Sequence, residues 1–167
     1  PTVGGTPIIT NATCNAGGSI SGITVSGGVT PYTFSWTNTT QTSIDVNGLA
    51  ADSYTLTVSD ANGCIVTSGP HTISMASTPT IAGTPVITHQ GCLVMGSISG
   101  LTASGGVGTL SYTWNGATAA NENLASAVAG NYTLVVTDQN GCTASSGPHT
   151  INAPVLPTIA GTAIISP

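Results

Sequence analysis

The chain contains an internal repeat with a period of 78 residues. PTVGGTPIIT begins at residue 1, PTIAGTPVIT at residue 79 and PTIAGTAIIS at residue 157. Self-similarity at a fixed period is typical of tandem modules, because each copy of the sequence folds into the same unit. We therefore predict two whole modules, 1–78 and 79–156, and the first strand of a third repeat at 157–167, as in an excerpt of a longer array.

Each repeat carries two cysteines at the same two positions. They are Cys14 and Cys64 in the first repeat, and Cys92 and Cys142 in the second. Four cysteines allow three pairings, and the repeat favours one structural disulfide inside each module. Such a bridge would contribute roughly 4 kcal/mol by closing a loop and would indicate an oxidising compartment. Four reduced core thiols are the alternative, and zinc is less favoured because CxxC is absent.

The hydrophobic pattern predicts an all-β fold. In SYTLTVSD, residues Tyr54, Leu56 and Val58 alternate with polar residues, and the hairpin signal Asn-Gly follows at 62–63. Six or seven short strands in each repeat favour tandem immunoglobulin-like antiparallel β-sandwich modules. In GSISGITVSGG the alternation shifts by one residue, which predicts a bulge at Gly22.

Four aromatic residues are predicted to anchor the two cores. They are Trp36 and Tyr54 in the first repeat, and Trp114 and Tyr132 in the second. Each tyrosine lies a few residues before the hairpin turn, so its position resembles a tyrosine corner.

The composition excludes several classes of function. The chain has no Lys or Arg and has a formal net charge of −5. We therefore expect no nucleic-acid partner, because binding to phosphates relies on Lys and Arg. We also expect no membrane insertion, because the sequence has no apolar run of 18 residues or more.

The motifs GSI, SGG, PYTFSW and YTLTVSDANGC resemble the SprB-type repeat of gliding-bacterium surface adhesins. The resemblance covers about 14–64 and 92–142. It implies immunoglobulin-like sandwiches in tandem copies, secretion to the cell surface, and a role in filaments, adhesion or gliding.

The candidate chemical residues are predicted to have structural roles, and we expect no catalytic residue, no metal site and no cofactor. His71 and His149 are interpreted as strand residues, and Asp60 and Asp138 as carboxylates that cap a turn. Asp45, Asp52 and Glu122 form no repeated acidic pair, so glycosidase chemistry has no support. The candidate glycosylation sites are the N-x-[ST] positions Asn11, Asn38 and Asn131.

Three functions are consistent with these patterns. The first is a structural repeat of an extracellular filament or adhesin, acting as a protease-resistant, semi-rigid spacer that associates with neighbouring repeats or with copies of itself. The second is a secreted carbohydrate-binding module, whose partners would be surface glycans. It would have an exposed aromatic platform, for which Trp36 and Trp114 are the candidates, or a calcium site on one sheet. The third, an enzyme, has the least support, and we predict that the protein is not one.

Overall fold

The computed structural model describes residues 1–115, 117–158 and 160–161, and strands make up its regular structure. The strands in chain order are β1 (Thr2–Thr10), β2 (Gly18–Ser26), β3 (Thr33–Trp36), β4 (Val46–Leu49), β5 (Asp52–Ser59), β6 (Ile65–Ile73), β7 (Pro79–Ala82), β8 (Val86–Thr88), β9 (Gly96–Ser99), β10 (Thr102–Gly105), β11 (Ser111–Trp114), β12 (Ala117–Ala119), β13 (Leu124–Ala127), β14 (Gly130–Thr137) and β15 (Thr143–Ile151). The predicted all-β class is confirmed. Most of the predicted third-repeat strand, residues 159 and 162–167, lies outside the described residues.

The chain forms two compact units, and their boundaries coincide only partly with those of the two sequence repeats. Unit 1 contains 1–80 together with two short segments of the second repeat, 105–110 and 137–143. Unit 2 contains 81–104, 111–136 and 144–167. The hairpin turn that holds Cys142 therefore belongs to unit 1.

Unit 1 is a sandwich of two three-stranded antiparallel sheets, in the orders β1-β2-β4 and β3-β5-β6. Its core is apolar and draws on both sheets: Ile20, Ile23, Trp36, Val46, Leu49, Tyr54, Leu56, Val58 and Ile73 are buried, with Ala12 from a loop. Alternation explains this arrangement, because every second residue of β5 points inward. The first, second and fourth strands share one sheet, as in the immunoglobulin fold without its strand D.

The tyrosine corner is present in both repeats. Tyr54 donates its hydroxyl to the Ala50 carbonyl at 3.0 Å, four residues upstream, and Tyr132 donates to the Val128 carbonyl at 3.0 Å. These bonds fasten the start of β5 and of β14 to the connection that precedes each strand.

A β-bulge is present at the predicted position, but the additional residue lies on β1, opposite Gly22, and not on β2. Gly5 pairs with Ile23 and Ile8 with Ser21, so two residues of β1 face Gly22 alone. Gly22 has φ of 77°, a backbone conformation that residues with a side chain rarely adopt. The shift lets Ile20 and Ile23 both face the core, as the sequence pattern requires.

Unit 2 has a similar architecture with interrupted strands. Its strands form sheets in the orders β13-β9-β8 and β12-β11-β14-β15, and β10 pairs with β7 in a two-stranded sheet. The stretch equivalent to β1 is divided into β7 and β8 near Gly83, which has φ of 100°. The stretch equivalent to β2 is divided into β9 and β10 near Gly100, which has φ of 80°. Buried side chains of this unit are Ile98, Leu101, Trp114, Ala127, Leu134, Val136 and Ile151.

Candidate functional site at the repeat cysteines

A buried carboxylate organises the hairpin turn that ends in a cysteine. Asp60 Oδ1 accepts hydrogen bonds from the Asn62 N–H at 3.0 Å and the Cys64 N–H at 2.9 Å. Asp60 Oδ2 accepts from the Val29 N–H at 3.1 Å. Asp60 thus caps the turn, as predicted, and fixes the backbone of Cys64.

The second repeat builds the same turn. Asp138 Oδ1 accepts from the Cys142 N–H at 2.8 Å, and its Oδ2 accepts from the Val107 N–H at 3.0 Å. In each turn the Asp N–H also donates to the carbonyl of the cysteine, at 3.0 Å. Cys64 and Cys142 therefore occupy equivalent backbone positions.

Acid should weaken unit 1 through Asp60. The N–H groups of Cys64 and Val29 hold the pKa of the Asp60 carboxyl below its ordinary value of 3.8. The folded state thus favours the carboxylate, so this stabilisation is complete above about pH 4 and is lost as the pH falls through the folded pKa. Asp60→Asn should lower the melting temperature at pH 7 and reduce its fall below pH 4, in thermal melts recorded from pH 7 to pH 2.

The control for that experiment is Asp45→Asn, since Asp45 is exposed. It should leave the acid profile unchanged. Equal profiles for the two variants would contradict the assigned role of Asp60.

The predicted disulfides are wrong. Cys14 is bonded to Cys142, with S–S 2.08 Å and Cα–Cα 5.6 Å, over a sequence separation of 128. Cys64 and Cys92 are free and exposed. The bond therefore joins the first sequence repeat to the second, and neither Cys14–Cys64 nor Cys92–Cys142 forms.

Strand length explains why a bond within one repeat does not form. Cys64 immediately precedes β6, Ser74 immediately follows it, and the Ala12 N–H donates to the Ser74 carbonyl at 3.0 Å. Cys14 and Cys64 thus lie at opposite ends of a nine-residue strand, which is roughly 30 Å long at 3.3 Å per residue. Bonded cysteines require Cα atoms within about 7 Å.

The second repeat has the same separation. Cys142 immediately precedes the nine-residue β15, and Asn152 immediately follows it. The Gln90 N–H donates to the Asn152 carbonyl at 3.1 Å, so the loop of Cys92 lies at the far end of that strand.

Polar contacts accompany the disulfide inside unit 1. Asn15, next to Cys14, donates its Nδ2–H to the Asn140 carbonyl at 3.0 Å. Ser77 donates its hydroxyl to the Gly106 carbonyl at 3.0 Å. These bonds join the first repeat to the two short segments of the second repeat that belong to this unit. Amide and hydroxyl side chains in loops carry no spacing signal, so these hydrogen bonds could not be predicted from the sequence.

The predicted aromatic anchors are mostly buried. Trp36, Trp114 and Tyr54 are buried, whereas Tyr132 is half-buried. Trp36 donates its Nε1–H to the Ser43 carbonyl at 2.8 Å. Because both tryptophans are core residues, they do not form the exposed platform that a carbohydrate-binding module would use.

The histidines have structural partners. His71 and His149 each place Nε2 3.1 Å from a serine hydroxyl, of Ser68 and Ser146 respectively. Each ring lies beside the tryptophan of its repeat, with centroids 6.0 Å and 6.1 Å apart. Burial lowers the pKa of His71, which favours its neutral form.

His89 takes the place of Asn11 in the second repeat. Asn11 Oδ1 accepts from the Ser74 N–H at 3.0 Å, and His89 Nδ1 accepts from the Asn152 N–H at 3.1 Å. Each side chain therefore accepts a hydrogen bond from the residue that follows the last strand of its own repeat. Within the described ranges, no group of three or more His, Cys, Asp or Glu side chains could hold a metal ion.

The candidate glycosylation sites Asn11, Asn38 and Asn131 are all exposed. Asn38 donates its Nδ2–H to the Ser53 carbonyl at 3.1 Å, and Asn131 Oδ1 accepts from the Thr150 hydroxyl at 2.7 Å. Sugar attachment at these residues stays a prediction. In the part of the chain that the structure describes, no helix is long and apolar enough to cross a membrane.

The comparisons with known proteins concern a family and a fold. The family model described as SprB repeat matches residues 6–41, which confirms the resemblance in the first repeat. No curated protein sequence matches the chain. A similar solved structure is the three N-terminal domains of the bacteriophage RB49 Highly Immunogenic Outer Capsid protein (Hoc), with TM-score 0.50 and 17% identity over 90% of this chain. The match spans 58% of that structure and concerns the fold alone.

Proposed function

We propose that this chain, in which residues 6–41 match the SprB repeat, is a structural repeat module of an extracellular filament or cell-surface adhesin. It acts as a protease-resistant, semi-rigid spacer, is not an enzyme, and has neighbouring repeats as its partners. The observation that carries this proposal is the disulfide between Cys14 of the first repeat and Cys142 of the second.

The disulfide gives the chain a mechanical property that suits a spacer. Tension applied to the two ends passes along the backbone to Cys14, through the sulfur–sulfur bond, and onward from Cys142. The residues between them lie outside this load path, so they cannot be extended while the bond is intact. If its modules opened under shear, a surface fibre would therefore lengthen only through the residues outside the 14–142 loop.

Single-molecule force spectroscopy tests this property directly. Because the bond encloses a separation of 128 residues, reduction should lengthen the fully unfolded chain by roughly 420–460 Å at 3.3–3.6 Å per residue. Bridges inside each repeat would enclose two separations of 50 residues, between 14 and 64 and between 92 and 142, and reduction would add only roughly 330–360 Å.

The Cys64→Ser/Cys92→Ser variant is the control, because it retains the bonded pair and cannot form other links. It should show the same increase in length on reduction as the unmodified chain. An unfolded length that does not change on reduction would overturn the mechanical proposal.

The surface location has a separate test that uses the composition. Antibodies against this chain should label intact cells that produce it. Trypsin should leave this stretch of chain uncut, because it has no Lys or Arg for trypsin to recognise, whereas proteinase K should remove the label. Label that appears only after the cells are broken would contradict an extracellular location.

A further inference from the structure

The four cysteines fall into two positional types. We call Cys14 and Cys92 the loop cysteines, since they lie in the β1–β2 and β8–β9 loops, and Cys64 and Cys142 the turn cysteines. The bonded pair consists of the loop cysteine of the first repeat and the turn cysteine of the second. The turn cysteine of the first repeat and the loop cysteine of the second are the ones left free.

Each free cysteine lies in a loop or turn with the same backbone hydrogen bond as its bonded counterpart in the other repeat. In the loops, the Thr13 N–H donates to the Ala16 carbonyl at 2.7 Å, and the Gly91 N–H donates to the Val94 carbonyl at 2.9 Å. In the turns, the Ala61 N–H donates to the Val29 carbonyl at 2.9 Å. Its counterpart, the Gln139 N–H, donates to the Val107 carbonyl at 3.0 Å.

Both free cysteines also adjoin exposed apolar side chains. Leu93, Val94 and Met95 follow Cys92 and are 98%, 65% and 46% exposed. Near Cys64, Val29 is 47% exposed and Ile65 is 67% exposed. Apolar residues grouped on a surface are typical of an interaction site.

We propose that Cys92 of one copy of this chain forms a disulfide with Cys64 of a second copy, which continues the Cys14–Cys142 pairing from chain to chain. The bond joins two different surfaces, so it is heterologous and open-ended, and repetition produces a linear fibre. This inference rests on the proposed spacer function and adds the partner and the bond that extend it.

The chemistry requires an oxidant of the disulfide class, such as oxidised glutathione. The Cys64 thiolate attacks one glutathione sulfur, forms a mixed disulfide and releases one reduced glutathione. The Cys92 thiolate of the second copy then attacks the Cys64 sulfur and releases the other. Two thiols thus lose two protons and two electrons, and one oxidised glutathione becomes two reduced molecules.

Two single variants of the full chain test the pairing. In a buffer of reduced and oxidised glutathione, the unmodified chain should form a ladder of covalent oligomers on size-exclusion chromatography with light scattering. Cys64→Ser and Cys92→Ser should each remain monomeric when oxidised alone. Their equimolar mixture should form dimers only, and mass spectrometry of those dimers should find Cys64 linked to Cys92.

A denaturant control shows whether the folded surfaces select this pairing. In guanidinium chloride, where the surfaces are lost, each single variant should form dimers as readily as the mixture does. The proposal is overturned if either variant alone forms as much dimer as the mixture under native conditions, or if the unmodified chain forms no oligomer. Absence of oligomers combined with the expected length change in force spectroscopy would reject this pairing and leave the spacer function in place.

Discussion

Replacing Cys14 and Cys142 together by serine should lower the free energy of unfolding by about 5 kcal/mol, because their bond closes a loop with a sequence separation of 128. In the chain-entropy model this bond restricts the unfolded chain, and longer loops give larger effects. Urea denaturation of the variant and of the unmodified chain, both kept monomeric, measures the difference.

The matched control is the pair that the structure leaves free. Cys64→Ser/Cys92→Ser removes the same number of sulfur atoms, but both residues are exposed and unbonded. Its free energy of unfolding should equal that of the unmodified chain. The reverse pattern, with a large loss in this control and none in Cys14→Ser/Cys142→Ser, would refute the observed connectivity.

Trp36→Ala should lower the free energy of unfolding of unit 1 by about 3–5 kcal/mol, the usual cost of deleting a large buried aromatic side chain. Trp36 is 6% exposed, and its indole N–H donates to the Ser43 carbonyl at 2.8 Å. Its ring also lies 6.0 Å from that of His71. Removal therefore leaves a cavity between the sheets and an acceptor without its donor.

Calorimetry measures the effect, with Phe34→Ala as the control. Phe34 lies on the same strand and is only half-buried, so its truncation should cost less. If Trp36→Ala is no more destabilising than Phe34→Ala, Trp36 does not anchor the core.

Most of the fold could be predicted from the alternation of side chains. Tyr54, Leu56 and Val58 recur at every second position in the sequence and are buried in the structure. The Asn-Gly pair at 62–63 marks the β5–β6 hairpin, and the tyrosine position indicates the corner that Tyr54 forms. These features are local, so a single segment of sequence contains them.

The disulfide connectivity could not be read from the repeat alone. A period of 78 residues is equally consistent with bonds inside each repeat and with bonds from one repeat to the next. Strand length distinguishes them: the nine residues of β6 directly after Cys64 place it far from the loop of Cys14. Because the two cysteines have the same spacing in both repeats, the sequence favoured a bond inside each repeat.

The structural differences between the two repeats could not be predicted from the sequence either. The second repeat has divided strands near Gly83 and Gly100, and an additional edge strand, β12. Glycine conformation and edge pairing depend on neighbouring strands, which a sequence pattern does not specify. The half-buried Tyr132 likewise differs from the buried Tyr54, although both retain the same hydrogen bond.

Disulfide mapping of the unreduced monomer tests the central claim most directly. The free thiols are first alkylated, and the chain is then digested with pepsin, since trypsin has no site, and read by mass spectrometry. The structure predicts one linked peptide pair containing Cys14 and Cys142, with Cys64 and Cys92 alkylated. Linked pairs containing Cys14 with Cys64 and Cys92 with Cys142 would contradict the account.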